Sequence, residues 1–193
     1  APRGQQLEWT RTPRRSGRTA ASRTGVLTNE GDLVERGALL QGVTPPLRGP
    51  CVLGLPTAQI LLRVIELPCT DPDELGDMIL LQLDKICPFP VEQVQAGYEL
   101  LANEGQTSRV LVAAVRQDLV ESWRAAVAGG DLDLVRVDVQ ALAWWRLLRP
   151  TLTHAVGQEL VVLHDGWETD IIVVRGDIPL LFRSLGFGRA LSD

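Results

Sequence analysis

From Gln59 to Leu67 the chain is almost unbroken Ile, Leu and Val, and from Leu75 to Ile86 the apolar positions fall three or four apart. The first pattern predicts a buried strand, closed by Pro68, and the second a helix with one apolar face. Asp71 fits the helix N-cap, Pro72 its first position and Glu74 the third residue of a capping box. Leu75, Met78, Ile79, Leu83 and Ile86 supply the buried face. Pro88 ends the helix, because it drives Cys87 out of the α region and has no N–H to continue the ladder. Pro90 keeps the exit extended, so Pro88-Phe89-Pro90 forms a stiff elbow that aims Phe89 toward the core.

Further strands are predicted at Cys51–Leu55, Val94–Leu101, Arg109–Val115, Leu134–Val137, Leu160–Leu163, Asp170–Val174 and Ile178–Arg183. The run VLVAAV is apolar throughout, which suits a central strand covered on both faces. Arg175-Gly176-Asp177 makes the turn of a last hairpin. Asp118 caps a second helix, whose buried face is Leu119, Val120, Trp123 and Val127, ended by Gly129-Gly130. Asp138 caps a third, with Leu142, Trp145 and Leu148 inside and Pro150 as its stop.

GVLTNEGDLVERG, residues 25–37, reads as part of a small hairpin over 26–42, whereas residues 1–25 are polar and Arg-rich with no clear period. The proline and glycine run from Thr44 to Pro50 reads as a linker. Three regions follow: a basic segment with a hairpin over 1–50, a β-α-β-β-α-β subdomain of ferredoxin-like plan with its connecting helix over 51–150, and a β-meander over 151–193. The fold class is α/β (α+β).

Composition narrows the class. Of 193 residues, 45% are hydrophobic and 22% charged, as in soluble globular chains. No apolar run approaches the ~20 residues of a membrane span, and no h-region opens the chain. The chain lacks an initiator Met and reads as an excised piece. The net charge of −5 divides into +5 over residues 1–25 and −10 over the rest. The basic segment suits an anionic lipid or nucleic acid, or a poorly ordered end, but no aromatic-interleaved basic patch supports nucleic-acid binding. Cys51, Cys69 and Cys87 are odd in number and carry no CxxC, which predicts reduced thiols and no zinc site.

Catalytic chemistry is hard to find. His154 and His164 lack partners at metal or nucleophile spacing, and neither GxxxxGK[ST] nor GxGxxG occurs. One stretch, Leu160–Ser184, is ordered like the strand, phosphate-binding turn and hairpin of actin-like ATPases. That turn wants an Asp two residues before a Gly, so that a carboxylate helps hold Mg²⁺ while backbone N–H groups reach a phosphate. Gly166 is present, but His164 stands at the Asp position and bulky Trp167 follows. No catalytic, cofactor-binding or metal-ligating residue is therefore assigned.

The ordered set of motifs resembles a family. LGLPTAQILLRVIELP (Leu53–Pro68), DELGDMILLQLDKICPFPVEQVQAGYEL (Asp73–Leu100), VLVAAVRQDLVESWRAAVAGGDLDLVRVDVQALAWWRLL (Val110–Leu148) and ETDIIVVRGDIPLLFRSLGFG (Glu168–Gly188) look like successive elements of the actin-like assembly-platform proteins of type IV pilus and type II secretion systems, the PilM and GspL kind. The chain departs from them in lacking the Gly-Ile-Asp-Ile-Gly phosphate turn, in Gly97 before Tyr98, and at His164 and Trp167. The resemblance implies an actin-like (ribonuclease H-like) fragment and a docking platform rather than an enzyme. It implies a cytoplasmic location peripheral to the bacterial inner membrane, with a motor ATPase and the cytoplasmic segment of a bitopic membrane protein as partners. It implies no bound ATP, no nucleic acid, and room for a homodimer. Arg63, Pro88, Phe89 and Pro90 are the residues expected to shape a partner groove. An actin-like ATPase and a cell-division membrane anchor remain as alternatives, the latter requiring a C-terminal amphipathic helix that is not visible before Asp193.

Overall fold

The structure is a computed structural model that describes residues 6–11, 23–28, 40–128, 131–152, 157–164 and 168–185. The chain divides into two units, one holding residues 1–53 and 119–136, the other 54–118 and 137–193.

In the first unit, strand β1 (Gln6–Arg11) pairs antiparallel with β2 (Arg23–Thr28), in a register from Gln6↔Thr28 to Arg11↔Arg23. The polar N-terminal segment thus contains a strand that its composition concealed. Of the hairpin expected over 26–42, residues 26–28 lie in β2, and residues 29–39 lie outside the described residues. Strand β3 (Gly49–Leu55) pairs with β7 (Leu132–Val139), and both continue into the second unit. The Gly49 N–H donates to the Asp131 carbonyl at 2.7 Å beside an exposed Arg48–Asp131 ion pair. Burial, with Asp133 adding, pushes the Cys51 thiol pKa up. Helix α2 (Gln117–Ala128) buries Val120, Ala126 and Val127. Asp118 lies inside its first turn, where a carboxylate suits the helix dipole.

The second unit is built on two three-stranded antiparallel sheets, β4–β6–β5 and β10–β9–β8. β4 is Leu61–Leu67, β5 Val94–Glu104, β6 Thr107–Arg116, β8 Glu159–His164, β9 Thr169–Arg175 and β10 Ile178–Leu185. The VLVAAV strand is central, as its unbroken apolar run requires. Three strands of the ferredoxin-like plan share one sheet, and the fourth, β7, is paired with β3.

Helix α1 (Pro72–Ile86) begins as the cap pattern dictates, with Asp71 Oδ1 accepting from the Asp73 N–H at 3.0 Å. The Glu74 carboxylate accepts from the Cys69 thiol at 3.5 Å instead of completing a capping box. Leu75, Ile79 and Leu83 pack on Leu67, Val110, Val112 and Ala114 of one sheet face. Burial of each such side chain contributes roughly 1.5–3 kcal/mol. On the other face, Leu62 and Leu111 meet helix α3 (Gln140–Leu148) through Ala141, Leu142 and Trp145, and the second sheet through Ile172, Val174 and Phe182. The cap of α3 is Val139 rather than Asp138, whose Oδ1 accepts from the Val139 N–H at 2.9 Å. Asp138 turns instead to Arg146, one of two carboxylates that guanidinium meets. Pro150 falls in a 3₁₀ turn (Arg149–Thr151) that closes the helix.

Candidate docking surface

The elbow is built as its prolines demand. Cys87 is extended, at φ −81° and ψ 131°, and its N–H closes α1 on the Leu83 carbonyl at 2.8 Å. Pro90 sits at φ −53° and ψ 137°, then Val91–Gln93 make a 3₁₀ turn into β5. Phe89, however, is 40% exposed, which corrects the expectation of a core plug. Ile86, Cys87, Val91 and Val94 already close that end of the core, so the ring has no place inside. It lies under the Arg116 guanidinium instead, 5.3 Å from the ring centroid. The Asp118 carboxylate hydrogen-bonds the same guanidinium and raises its pKa. Pro88 and Pro90 are exposed beside the ring.

Arg63 stands on β4, at the other edge of the sheet, half-buried, with Nη1 donating to the Leu62 carbonyl at 3.2 Å. Its register partner on β6 is Val112, which is also the partner of Tyr98 on β5. Arg63, Val112 and Tyr98 therefore form one row on the face that α1 packs against. The elbow joins the sheet at the Val94↔Arg116 pair, four residues along β5, roughly 14 Å away. The sheet carries the four predicted groove residues in two separate places rather than as one cluster.

Sequence reasoning missed two exposed features of this unit. Strand β5 is an edge strand, and Gln95 to Leu100 are all exposed. On the outer face of the second sheet, Leu160, Val162 and Leu181 are exposed. The alternation in LVVL at Leu160–Leu163, outward and inward, could have signalled apolar residues on both faces.

The second sheet also carries His164, at the end of β8. His164 Nδ1 lies 3.0 Å from Thr169 Oγ1, its register partner. Asp165–Trp167, the altered turn itself, lie outside the described residues, as does His154. Just beyond, Glu168 and Asp170 are only 3% and 5% exposed. The Thr57 hydroxyl, also buried, donates to Asp170 Oδ2 at 2.9 Å, joining segments 113 residues apart. Among the described residues no group of three His, Cys, Asp or Glu is placed to hold a metal. A shallow depression of about 370 Å³ is lined by Arg146, Arg149, Pro150 and Asp177. Its cations are engaged, Arg146 with Glu99 at 3.0 Å and Arg149 with Asp177 at 3.3 Å. It is therefore not a bare anion site. No helix among the described residues is long and apolar enough to cross a membrane.

A sequence model of the type IV pilus assembly protein PilM matches residues 46–191, more than half of the chain, and the chain belongs to that family. Its fold is similar to a structure described as the PilM-PilN type IV pilus biogenesis complex, with a TM-score of 0.76 and 25% identity over 96% of this chain. The match spans 60% of that relative's length. The cytoplasmic domain of EpsL, an inner membrane component of the type II secretion system of Vibrio cholerae, is similar in fold at a TM-score of 0.55 and 15% identity, covering 96% of this chain and 68% of that one. A Bacteroides thetaiotaomicron protein of actin-like ATPase fold and unknown function matches at a TM-score of 0.52 and 9% identity, over 87% and 62% of the two chains. The mixed α/β, actin-like fold and the pilus-family kinship read from the motifs both stand.

Proposed function

We propose that this chain is part of a cytoplasmic docking platform, peripheral to the bacterial inner membrane, that assembles a type IV pilus or type II secretion machine by binding and not by catalysis. Its partners are the cytoplasmic segment of a bitopic membrane protein and the motor ATPase. The observation that carries this reading is family membership over residues 46–191, supported by a structural relative described as a complex with PilN. An extended segment and a preformed protein surface recognise each other through main-chain and side-chain complementarity, which requires no bound cofactor.

ATP is placed outside this reading. Where the actin-like turn wants a carboxylate two residues before its glycine, His164 stands two residues before Gly166. Mg-ATP titration of the full-length protein, followed by phosphate release, tests this half of the proposal. No saturation up to millimolar nucleotide is expected. Micromolar saturation with turnover would overturn it in favour of an actin-like ATPase.

A further inference from the structure

We propose that strand β5 is a self-association edge, through which two copies of this chain join their β4–β6–β5 sheets into one six-stranded sheet. Independently of the pilus assignment, the inference rests on the strand itself. β5 is eleven residues long and, among the described residues, has a hydrogen-bonded neighbour on one side only, β6. Among the described residues its other edge pairs with no strand. Natural edge strands are shielded by proline, lysine, shortness or a bulge. β5 has no proline and no lysine, and its one irregularity falls between Leu100 and Ala102, which leaves Val94–Leu100 regular. Within that run Gln95 to Leu100 are exposed in succession, Tyr98 at 51% and Leu100 at 42%. A strand projecting this far gains most from a second neighbour.

The side-chain sequence selects a copy of itself as that neighbour. Ala96, Tyr98 and Leu100 lie on one face, and Gln95, Gly97 and Glu99 on the other. An antiparallel pair centred on Tyr98 sets Tyr98 against Tyr98 of the second copy and Ala96 against its Leu100. Apolar side chains then oppose apolar ones on one face. On the other face Glu99 opposes Gly97, so no like charges meet, and Arg146 remains at Glu99. Moving the centre to Glu99 would bring two carboxylates together, which the pairing rules disfavour. The resulting contact is isologous and closed, as a two-fold dimer requires.

The experiment is sedimentation velocity of the purified full-length protein from 1 to 200 µM, together with site-directed disulfide trapping in a background with Cys51 and Cys87 replaced by Ser. The expected result is a concentration-dependent dimer that weakens at least tenfold in Tyr98→Lys. Circular dichroism melting shows whether that surface variant stays folded. Because directly opposed strand residues bring their Cβ atoms about 4.5–5.5 Å apart, Tyr98→Cys alone should trap a dimer under mild oxidation. Ala96→Cys alone should not trap, but an equal mixture of Ala96→Cys and Leu100→Cys chains should. A monomer at 200 µM overturns the proposal. So does a dimer unaffected by Tyr98→Lys or trapped instead through Val162→Cys on β8. Binding of an unrelated extended peptide to β5 by a chain that never dimerises would also overturn it.

Discussion

The buried Thr57–Asp170 contact ties the turn after β3 to strand β9 and offers a sharp test of the packing between those two segments. Thr57→Val keeps the side-chain shape and removes the hydroxyl that donates at 2.9 Å. Asp170 Oδ1 has no hydrogen bond among the described residues, so the Thr57 bond matters more to this carboxylate than it would at the surface. Leaving a buried acceptor without its donor costs roughly 1–3 kcal/mol, and a chain of this length loses about 2–4 °C in Tm per kcal/mol. Thr57→Val is therefore expected to lower Tm by about 2–12 °C, while Thr57→Ser, which retains a donor, should recover much of the loss. Asp170→Ala removes the acceptor, and the Thr57→Val/Asp170→Ala double variant should be less damaged than the sum of the two by about 1–2 kcal/mol. Circular dichroism melts and urea titrations of the four proteins complete the cycle. If the single effects add to within ~0.5 kcal/mol, the hydroxyl and carboxylate are not coupled and the contact has been misread.

Other consequences are simpler to check. Ile79→Ala, in the α1 core, should cost about 2–5 kcal/mol, whereas Leu81→Ala, 68% exposed on the same helix, should cost less than ~0.5 kcal/mol; urea unfolding separates them. Phe89→Ala should cost well below the ~3–5 kcal/mol of a core phenylalanine, and a loss in that range would restore the ring to the core. Cys51, whose pKa is raised by burial and then by Asp133, should react with iodoacetamide at pH 8.5 more slowly in the folded chain than in urea, as read by peptide mass. The linkage has the matching sign. The folded thiol holds its proton more tightly, so the stability it contributes is present below the ordinary thiol pKa of ~8.5 and falls as pH rises through the raised native value.

What the sequence displayed best was local. Asp71, Pro72 and the 3.6-residue spacing from Leu75 to Leu83 define α1 without help from the rest of the chain, and Pro88 defines its end. The β9–β10 hairpin was equally plain, because Gly176 provides the positive φ, 57°, that its turn needs. Features set by distant partners were not visible. QLEWTR becomes a strand only because residues 23–28 pair with it, and a polar run carries too weak an alternation to show this. Asp138 has the composition of a cap, but Arg146 draws on its carboxylate, so α3 starts after Val139. Phe89 was misplaced because hydrophobicity alone cannot tell that Val91 and Val94 have already filled the end of the core. The free edge of β5 depends on strand order, which no local pattern specifies. The separation of Arg63 from the elbow has the same origin, since it follows from β6 lying between β4 and β5.

The central claim, a docking platform of a pilus or secretion machine, is tested most directly by capture from a membrane extract of the host with the full-length protein as bait and mass spectrometry as readout. The account predicts recovery of a hexameric secretion or pilus motor, or of a bitopic inner-membrane protein, above a control bait. Recovery of neither, from a bait that melts cooperatively, would contradict it.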